Sequence, residues 1–266
     1  MSILDQIILH KKKEVAERKE LYPTKLLEKS TWFQAKPVSL KKYILRQDLY
    51  GIIAEFKRKS PSKGAINEFA DPATVCLGYM QAGASALSVL TDGEFFGGSN
   101  NDLVTARKNN YCPIVRKDFI IDQYQVVEAR SIGADAILLI ADTLSATELK
   151  ALSDFAFSLG MEVLFEVHDE AGIDKLPADA QIVGVNSRNL HDFSVSTDDA
   201  IGMAEKLPAR VVKVAESGIN SAAVYHALRN AGYCGFLIGE FFMREADPAA
   251  ACRQFVSTLK IPRPCR

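Results

Sequence analysis

The sequence lacks long apolar segments and an excess of charge of either sign. Its longest uninterrupted apolar run covers only residues 136–141, whereas a membrane-spanning helix needs about 20 apolar residues. The 266 residues include 32 Lys and Arg against 33 Asp and Glu, which gives a formal net charge of -1. Binding to nucleic acid or to an anionic membrane needs a surplus of basic residues. We therefore expect neither a nucleic-acid partner nor a membrane partner.

Cysteine is scarce and scattered. No CxxC spacing and no neighbouring histidine pair occurs among Cys76, Cys112, Cys234, Cys252 and Cys265. Neither a disulfide framework nor a zinc site is indicated, and buried free thiols are the simplest interpretation. The amino-terminal segment also differs from a secretory signal, because its lysines follow the apolar residues and Asp5 interrupts them. These features predict a cytoplasmic protein.

From residue 51 onward, short apolar runs rich in β-branched residues alternate with helix-like stretches. Eight runs have the length of a buried strand: residues 51–56, 86–91, 113–119, 134–140, 161–167, 180–187, 211–217 and 235–240. Asp, Ser or Pro near the start and Gly near the end mark the helical stretches, for example over residues 71–84 and 145–160. This alternation predicts a parallel sheet covered by helices.

Two architectures with a parallel sheet compete. An open doubly wound sheet accommodates about six strands, whereas eight βα units match the closed (β/α)₈, or TIM, barrel, whose typical length is about 250 residues. No GxGxxG motif follows the first apolar run, where a dinucleotide-binding fold would need it. We therefore predict an α/β fold of the (β/α)₈ barrel class.

Residues 1–47 precede the eight units and form a predicted helical extension. Four apolar residues share one face of its first helix: Ile3, Leu4, Ile7 and Ile8. A second, weaker helical pattern covers residues 39–47. The extension is either a packing cap over one barrel end or a lid or wall of the active site. The predicted organisation is a single domain in which this extension packs on a barrel over residues 48–266.

Charged or polar side chains at the ends of apolar strands are the strongest functional signal. The carboxyl ends of the strands form the active site of this fold, and seven side chains are placed there: Glu55, Lys57, Lys117, Glu166, Asn186, Arg188 and Glu216. One buried ion pair would be compatible with a structural role. Burying all seven at one end would carry a larger desolvation penalty than structural interactions alone could offset. Their convergence predicts a site in which lysines and glutamates exchange protons.

Two glycine-bearing turns follow the seventh and eighth apolar runs, where this fold commonly binds phosphate. Ser217 and Gly218 form the first turn, and Gly239 and Glu240 form the second. Small residues let backbone N–H groups approach an anion, and the dipole of the following helix attracts it. These turns predict a phosphate-binding site.

The chain resembles the indole-3-glycerol phosphate synthase family over nearly its whole length. The motifs occur in the family's order: IIAEFKRKSPSKG (52–64), LTDGEFFGGS (90–99), RKDFI (116–120), GADAILLIA (133–141), GVNSRNL (184–190), VKVAESGI (212–219) and LIGEFFM (237–243). The resemblance implies a (β/α)₈ barrel with an amino-terminal extension, no metal and no organic cofactor. It also implies a phosphorylated small-molecule substrate, and we expect a monomer or weak homo-oligomer.

The implied reaction is that of a carboxy-lyase in tryptophan biosynthesis. 1-(2-carboxyphenylamino)-1-deoxyribulose 5-phosphate closes to indole-3-glycerol phosphate with loss of CO₂ and water. Lys117 resembles the family's general acid, which protonates the ketone oxygen as the aromatic carbon attacks. Glu166 fits the acid/base that assists dehydration, and Lys57 fits a second acid or a group that positions the substrate.

The same resemblance implies supporting roles for the other residues. Glu55 and Asn186 resemble groups that hold the anilino nitrogen and the ribulose hydroxyls. Glu216 is expected to orient Lys117 or Lys57.

Apolar walls around the anthranilate ring are implied for Phe96, Phe119, Leu138 and Leu190, with ordinary barrel core as the other interpretation of Leu138. Arg188 is expected to contact an anion. Ser60 is expected either to hydrogen-bond a substrate oxygen or to form a turn beside Pro61. Glu240 stands where a small residue is natural in the family, so we expect its backbone to bind phosphate while its side chain points away.

Two other functions stay open at this stage. A phosphoribosylanthranilate isomerase is also a barrel with a phosphate site in the same place, but its chemistry uses a Cys and an Asp at strand ends. No Cys ends the first apolar run here. A noncatalytic barrel that serves as a scaffold is the second alternative, and the full set of catalytic residue types argues against it.

Overall fold

Residues 2–188 and 194–259 are described by a computed structural model, and its central feature is a closed barrel of parallel strands. The strands are β1 (Ile52–Phe56), β2 (Ala86–Leu90), β3 (Ile114–Lys117), β4 (Ala136–Ile140), β5 (Glu162–Val167), β6 (Ile182–Asn186), β7 (Val212–Glu216) and β8 (Gly235–Ile238). The last strand pairs with the first, with Ile53 opposite Leu237. The predicted (β/α)₈ barrel is confirmed, and each of the eight apolar runs contains one of its strands.

The helices follow the start and stop signals of the sequence. In chain order they are α1 (Ile3–Leu21), α2 (Thr24–Leu27), α3 (Thr31–Gln34), α4 (Leu40–Ile44), α5 (Pro72–Gln81), α6 (Asn100–Asn109), α7 (Gln123–Ser131), α8 (Ala146–Ser158), α9 (Glu170–Asp174), α10 (Thr197–Lys206), α11 (Ala222–Asn230), α12 (Glu240–Met243) and α13 (Pro248–Thr258). Asp71 caps α5 by accepting hydrogen bonds from two backbone N–H groups, with Pro72 in the first turn. Ser145 and Glu148 form a capping box at the start of α8. A short antiparallel hairpin, Lys59–Ser60 with Gly64–Ala65, follows β1. None of the helices in residues 2–188 and 194–259 combines the length and the apolarity that crossing a membrane requires.

Both faces of the barrel wall are buried, which explains why the strands are continuously apolar. All five residues of β1 are buried, and every strand contributes to the barrel interior through a cluster that includes Ile53, Ala86, Val115, Leu138, Leu164, Ile182, Val214 and Leu237. A larger cluster lies between the strands and the surrounding helices. Apart from Ser88, which is buried in the middle of β2, the polar side chains of the strands lie at or next to the strand ends.

The amino-terminal extension performs both roles that the sequence left open. Ile3, Leu4 and Ile7 of α1 line the cavity at the carboxyl ends of the strands. Helix α4 lies at the opposite end, where Leu40 packs on the interior cluster. Its position there is fixed by Glu162, the first residue of β5, which accepts hydrogen bonds from the Ser39 hydroxyl at 2.6 Å and from the Lys41 N–H at 2.8 Å.

A closed chain of ion pairs holds α1 on the barrel. Lys11 Nζ lies 2.9 Å from Asp118 Oδ1, and Arg116 bridges Asp118 at 3.2 Å and Glu128 at 2.6 Å. Arg18, two turns after Lys11 on α1, returns to Glu128 at 2.5 Å. Burial opposes the charge on Asp118, but Lys11 and Arg116 outweigh it and hold the pKa of this carboxyl at about 2. Each buried charge thus has an opposite charge within contact distance.

Lys11→Met is expected to lower the free energy of unfolding by about 3–5 kcal/mol, the usual cost of breaking a buried ion pair. The Lys11 ammonium is fully buried and also lies 3.0 Å from Asp92, so both aspartates would lose their shared cation. Urea unfolding followed by circular dichroism measures the loss. The matched control is Lys12→Met, at an exposed neighbouring position, with an expected change within about 0.5 kcal/mol. Equal values for the two variants would contradict this role of Lys11.

The cysteines only partly follow the prediction of buried free thiols. Cys76, Cys112 and Cys252 are free and buried, and burial raises the pKa of Cys112 and of Cys252 to about 12. The prediction is wrong for Cys234, which is disulfide-bonded, while Cys265 lies outside the described residues. Local spacing reveals only pairs that are close in sequence, whereas a disulfide requires closeness in space.

Candidate active site

A cavity opens at the carboxyl ends of the barrel strands and collects most of the predicted site residues. Its lining includes Glu55, Lys57, Ser60, Phe96, Lys117, Phe119, Leu138, Glu166, Asn186, Arg188, Glu216, Ser217 and Glu240. Gly218 and Gly239 are absent from the lining, and Leu190 lies outside the described residues. No group of three or more His, Cys, Asp or Glu side chains within the described residues is arranged to hold a metal ion.

Lys117 occupies the centre of the charged cluster. Its Nζ donates to Glu166 Oε2 at 2.7 Å and to Glu216 Oε2 at 2.8 Å. These residues and Glu55 come from β1, β3, β5 and β7, and alternate strands of such a barrel supply the side chains of one layer. The uppermost layer is therefore polar, with an ammonium between carboxylates.

The electrostatics of this layer set its protonation. Burial opposes the charge on Lys117, but Glu166 and Glu216 outweigh it and raise its pKa above the ordinary value. Burial also disfavours the Glu166 carboxylate, yet Lys117 and His168 hold its pKa at about 2. Burial raises the pKa of Glu216 to about 7, with Lys117 offsetting part of the rise and Glu166 adding to it. Lys117 therefore carries a proton beside an ionised Glu166, and Glu216 is the less acidic of the two carboxyl groups.

Asn186 orients Glu166 through a fixed set of hydrogen bonds. Its Nδ2 donates to Glu166 Oε1 at 3.1 Å, while its Oδ1 accepts from Ser217 Oγ at 2.8 Å and from Arg188 N at 3.1 Å. Ser217 has a φ of 72°, and within residues 2–188 and 194–259 no other non-glycine residue has a positive φ. Such backbone strain persists where the surroundings impose it, commonly at functional sites.

A second lysine, Lys57, lines the same cavity as Lys117. Lys57 Nζ lies 2.7 Å from Glu55 Oε1, as the alternation of the two residues along β1 and its end predicts. Of the two lysines, Glu216 contacts Lys117, and its role in orienting this lysine stays a prediction. The two lysines thus have separate carboxylate partners.

The apolar part of the cavity has an aromatic pair on one side. The rings of Phe96 and Phe119 lie 6.0 Å apart at an interplanar angle of 40°, and Ile3 of α1 also lines the cavity. Leu138 fits both of its interpretations, since it lines the cavity and belongs to the interior cluster. Flat apolar walls of this kind suit an aromatic ring.

The expected anion end of the cavity contains a charge pair. Glu240 Oε2 lies 3.2 Å from Arg188 Nη2, and Glu240 Oε1 lies 3.7 Å from Lys63 Nζ. The Glu240 carboxylate is thus part of the lining, where the guanidinium supplies a counter-charge. Because the Arg188 guanidinium neutralises the Glu240 carboxylate, an anion at the neighbouring turns would be repelled less than expected for an unpaired carboxylate. Backbone binding of phosphate by Glu240 stays a prediction.

Two glycines make room for the buried carboxylates. A Cβ on Gly184 would lie 2.1 Å from Glu216 Oε1, and a Cβ on Gly239 would lie 2.4 Å from Glu55 Oε1. Gly239 therefore leaves space for the Glu55 side chain, in addition to its predicted place in the turn. Gly184 was missed, although a glycine inside an apolar strand is itself a sign of close approach.

Gly184→Ala is expected to lower kcat/KM by about 10²-fold, because displacing a catalytic group by about 1 Å can have this effect. The added methyl group would push Glu216 away from Lys117. Steady-state kinetics measure the loss, and circular dichroism checks that the variant is folded. Gly202→Ala is the control, since a Cβ there meets nothing within 4 Å. Unchanged kinetics in Gly184→Ala would show that the position of Glu216 is unimportant.

Comparison with known proteins agrees with this geometry. The family model for indole-3-glycerol phosphate synthase matches residues 4–255. The indole-3-glycerol phosphate synthase of Bacteroides thetaiotaomicron is 42% identical over 258 residues, covering 97% of this chain and 99% of the relative. That of Polaromonas sp. is 41% identical over 265 residues, covering 95% and 97%. The solved structure of 3-hexulose-6-phosphate synthase from Salmonella typhimurium has a TM-score of 0.61 at 16% identity, covering 79% of this chain and 98% of that one, and shares the fold alone. The chain belongs to the indole-3-glycerol phosphate synthase family.

Proposed function

We propose that Lys117 acts as the general acid of indole ring closure in this chain. The reaction converts 1-(2-carboxyphenylamino)-1-deoxyribulose 5-phosphate into indole-3-glycerol phosphate, CO₂ and water. The observation that carries the proposal is the Lys117 ammonium, held between Glu166 and Glu216 in the lining of a cavity that also has aromatic walls. A cation at this position meets the charge that develops on the ketone oxygen as the aromatic carbon attacks.

The carboxylates of Glu166 and Glu216 stabilise the protonated form of Lys117 until the ketone oxygen of the substrate takes the proton. An alkoxide that develops on the ketone oxygen is a stronger base than the Lys117 amine, so the proton moves from Nζ to that oxygen. Loss of CO₂ then restores the aromatic ring. The new hydroxyl leaves as water while the neighbouring CH₂ carbon loses a proton. Glu166, which is hydrogen-bonded to Lys117, is the acid/base that takes this proton and gives it to the leaving oxygen.

The remaining side chains bind and orient the substrate. Lys57, paired with Glu55, supplies a second cation for positioning. Asn186 holds Glu166 in place and, with Glu55, is proposed to hold the anilino nitrogen and the ribulose hydroxyls.

Substrate contacts are also proposed along the rest of the cavity. Ser60, which lies in the lining, is proposed to donate to a substrate oxygen. For the phosphate we propose the turns at Ser217–Gly218 and Gly239–Glu240, with Arg188 nearby as an anion contact. Neither metal nor organic cofactor is part of this scheme.

We also propose that this protein works in the cytoplasm as a monomer or weak homo-oligomer. The predicted site residues of this one chain meet in a single cavity, which supports a site that one chain completes by itself. Helix α1 is a wall of that cavity, which supports a structural role for the amino-terminal segment. The packing of α1 and α4 on the barrel supports one domain composed of residues 1–47 and 48–266.

The experiment is to mix the purified chain with the phosphorylated substrate and to follow indole fluorescence together with CO₂ release. We expect the two products in equal amounts. A parallel assay with phosphoribosylanthranilate, the substrate of the isomerase alternative, is expected to give no product. A folded protein that yields no indole would favour the noncatalytic scaffold instead.

A further inference from the structure

A half-buried histidine lies beside Glu166 and has no part in the steps above. His168 follows β5 directly, two residues after Glu166, and its side chain lines the cavity at 13% exposure. Its Nδ1 lies 3.0 Å from Asp142 Oδ2, and its Nε2 lies 3.7 Å from Glu166 Oε1. In the described part of the chain, neither ring nitrogen has a hydrogen bond. The ring is therefore placed between two carboxylates without being fixed by ordinary structural bonds.

The proposed reaction needs a proton from solution in every turnover. The substrate carboxylate carries a negative charge near neutral pH, but it leaves as neutral CO₂, while the ketone oxygen leaves as water. Atoms and charge balance only when one proton is taken up. Lys117 gives up the first proton, and both Lys117 and Glu166 are largely buried. A nearby group that takes up a proton from water would speed the reprotonation of Lys117 after each turnover.

We propose that His168 is a proton store that recharges Lys117 through Glu166. The imidazolium releases its Nε2 proton to Glu166 Oε1, and rotation of the Glu166 carboxyl group then presents that same proton to the neutral Lys117 amine, which lies 2.7 Å from Oε2. The ring is left neutral with its remaining proton on Nδ1, facing Asp142. After the products leave, the neutral ring takes up a proton from solvent and becomes an imidazolium again. His168 acts through Glu166, so it is a positioning residue and not a group that touches the substrate.

The charges around the ring favour the imidazolium. Asp142 faces Nδ1 from the short 3₁₀ turn after β4, Glu166 faces Nε2 from β5, and Glu216 contributes from β7, while Lys117 on β3 is the nearby cation of the cluster. Burial lowers the pKa of His168, but Asp142, Glu166 and Glu216 outweigh it and raise the pKa above its ordinary value. The side chain of Asp142 is 29% exposed, so the store lies close to solvent.

His168→Gln is expected to lower kcat by about 10-fold, less than the 10²–10⁴-fold effect of a group that transfers a proton directly to the substrate. KM should stay unchanged. In the parent protein, kcat should fall as pH rises through the pKa of His168, because the imidazolium is lost, and this alkaline limb should vanish in His168→Gln. The variant should also show a larger solvent isotope effect, and added imidazole should restore part of kcat. His226→Gln, on α11, is the control and should match the parent protein.

Asp142→Asn tests the same store without removing the ring. Loss of this carboxylate should lower the pKa of His168, so the alkaline limb should move to lower pH. Because the inference rests on the proposed function, the parent protein must first form indole product; no product at all would reject that function. An active parent protein with the same pH profile and isotope effect in His168→Gln, or an unmoved limb in Asp142→Asn, would overturn the proton store alone.

Discussion

Lys117→Met is expected to lower kcat by about 10²–10⁴-fold, the usual contribution of a general acid, while the substrate still binds. Methionine keeps most of the apolar stem but removes the ammonium that protonates the ketone oxygen. Steady-state kinetics and equilibrium titration with substrate separate the loss of turnover from any loss of binding. Near-normal kcat in this variant would reject Lys117 as the acid.

Lys213→Met is the matched control for this experiment. Lys213 is also a lysine of a barrel strand, β7, but its Nζ donates to the Ala204 carbonyl and does not line the cavity. We expect this variant to keep its kcat. In Lys117→Met, by contrast, Glu166 and Glu216 lose their shared cation, so the pKa of Glu166 should rise from its low value.

Glu166→Gln is expected to lower kcat by about 10²–10³-fold, because the amide retains a similar shape but cannot exchange the proton that dehydration requires. The ammonium of Lys117 would keep Glu216 as its one carboxylate partner. Steady-state kinetics, with product identified by chromatography, measure the loss.

Glu162→Gln provides the control on the same strand. Glu162 begins β5 at the opposite end of the barrel, where it binds Ser39 and the backbone of Lys41. This variant should keep full kcat and lose only stability. If both glutamine variants lost turnover equally, the effect would come from general loosening of the barrel and not from acid/base chemistry at Glu166.

The barrel could be predicted from sequence because its signals are local. Each strand is a short apolar run, and the helices between them begin at caps such as Asp71 and Ser145. Glu55 and Lys57 could likewise be paired from their alternation along the chain. The position of the cluster at one barrel end follows once parallel strands are assumed, since their carboxyl ends coincide.

His168 could have been found by the same alternation rule. It lies two residues after Glu166 and therefore on the same side of the chain. Because the apolar run ends at Val167, only the glutamate within that run was predicted as a site residue. Lys11 left a similar signal. It lies four residues after Ile7 and four before Val15, both buried, so a lysine stands within the buried stripe of α1.

Other features depend on distances across the fold and leave no local trace. Which lysine Glu216 contacts is decided by the geometry between β3 and β7. The pairing of Glu240 with Arg188 at 3.2 Å joins residues 52 positions apart. Cys234 belongs to the same class, because nothing near it in sequence marks a disulfide.

The central claim is that Lys117, rather than Lys57, delivers the proton to the ketone oxygen. The most direct measurement is a crystal structure of the chain with a substrate analogue whose ketone is reduced to an alcohol, which cannot undergo ring closure. We predict Lys117 Nζ within hydrogen-bond distance, about 2.7–3.2 Å, of that alcohol oxygen, with the ring against the pair formed by Phe96 and Phe119. Lys57 on this oxygen, with Lys117 remote from it, would contradict the account.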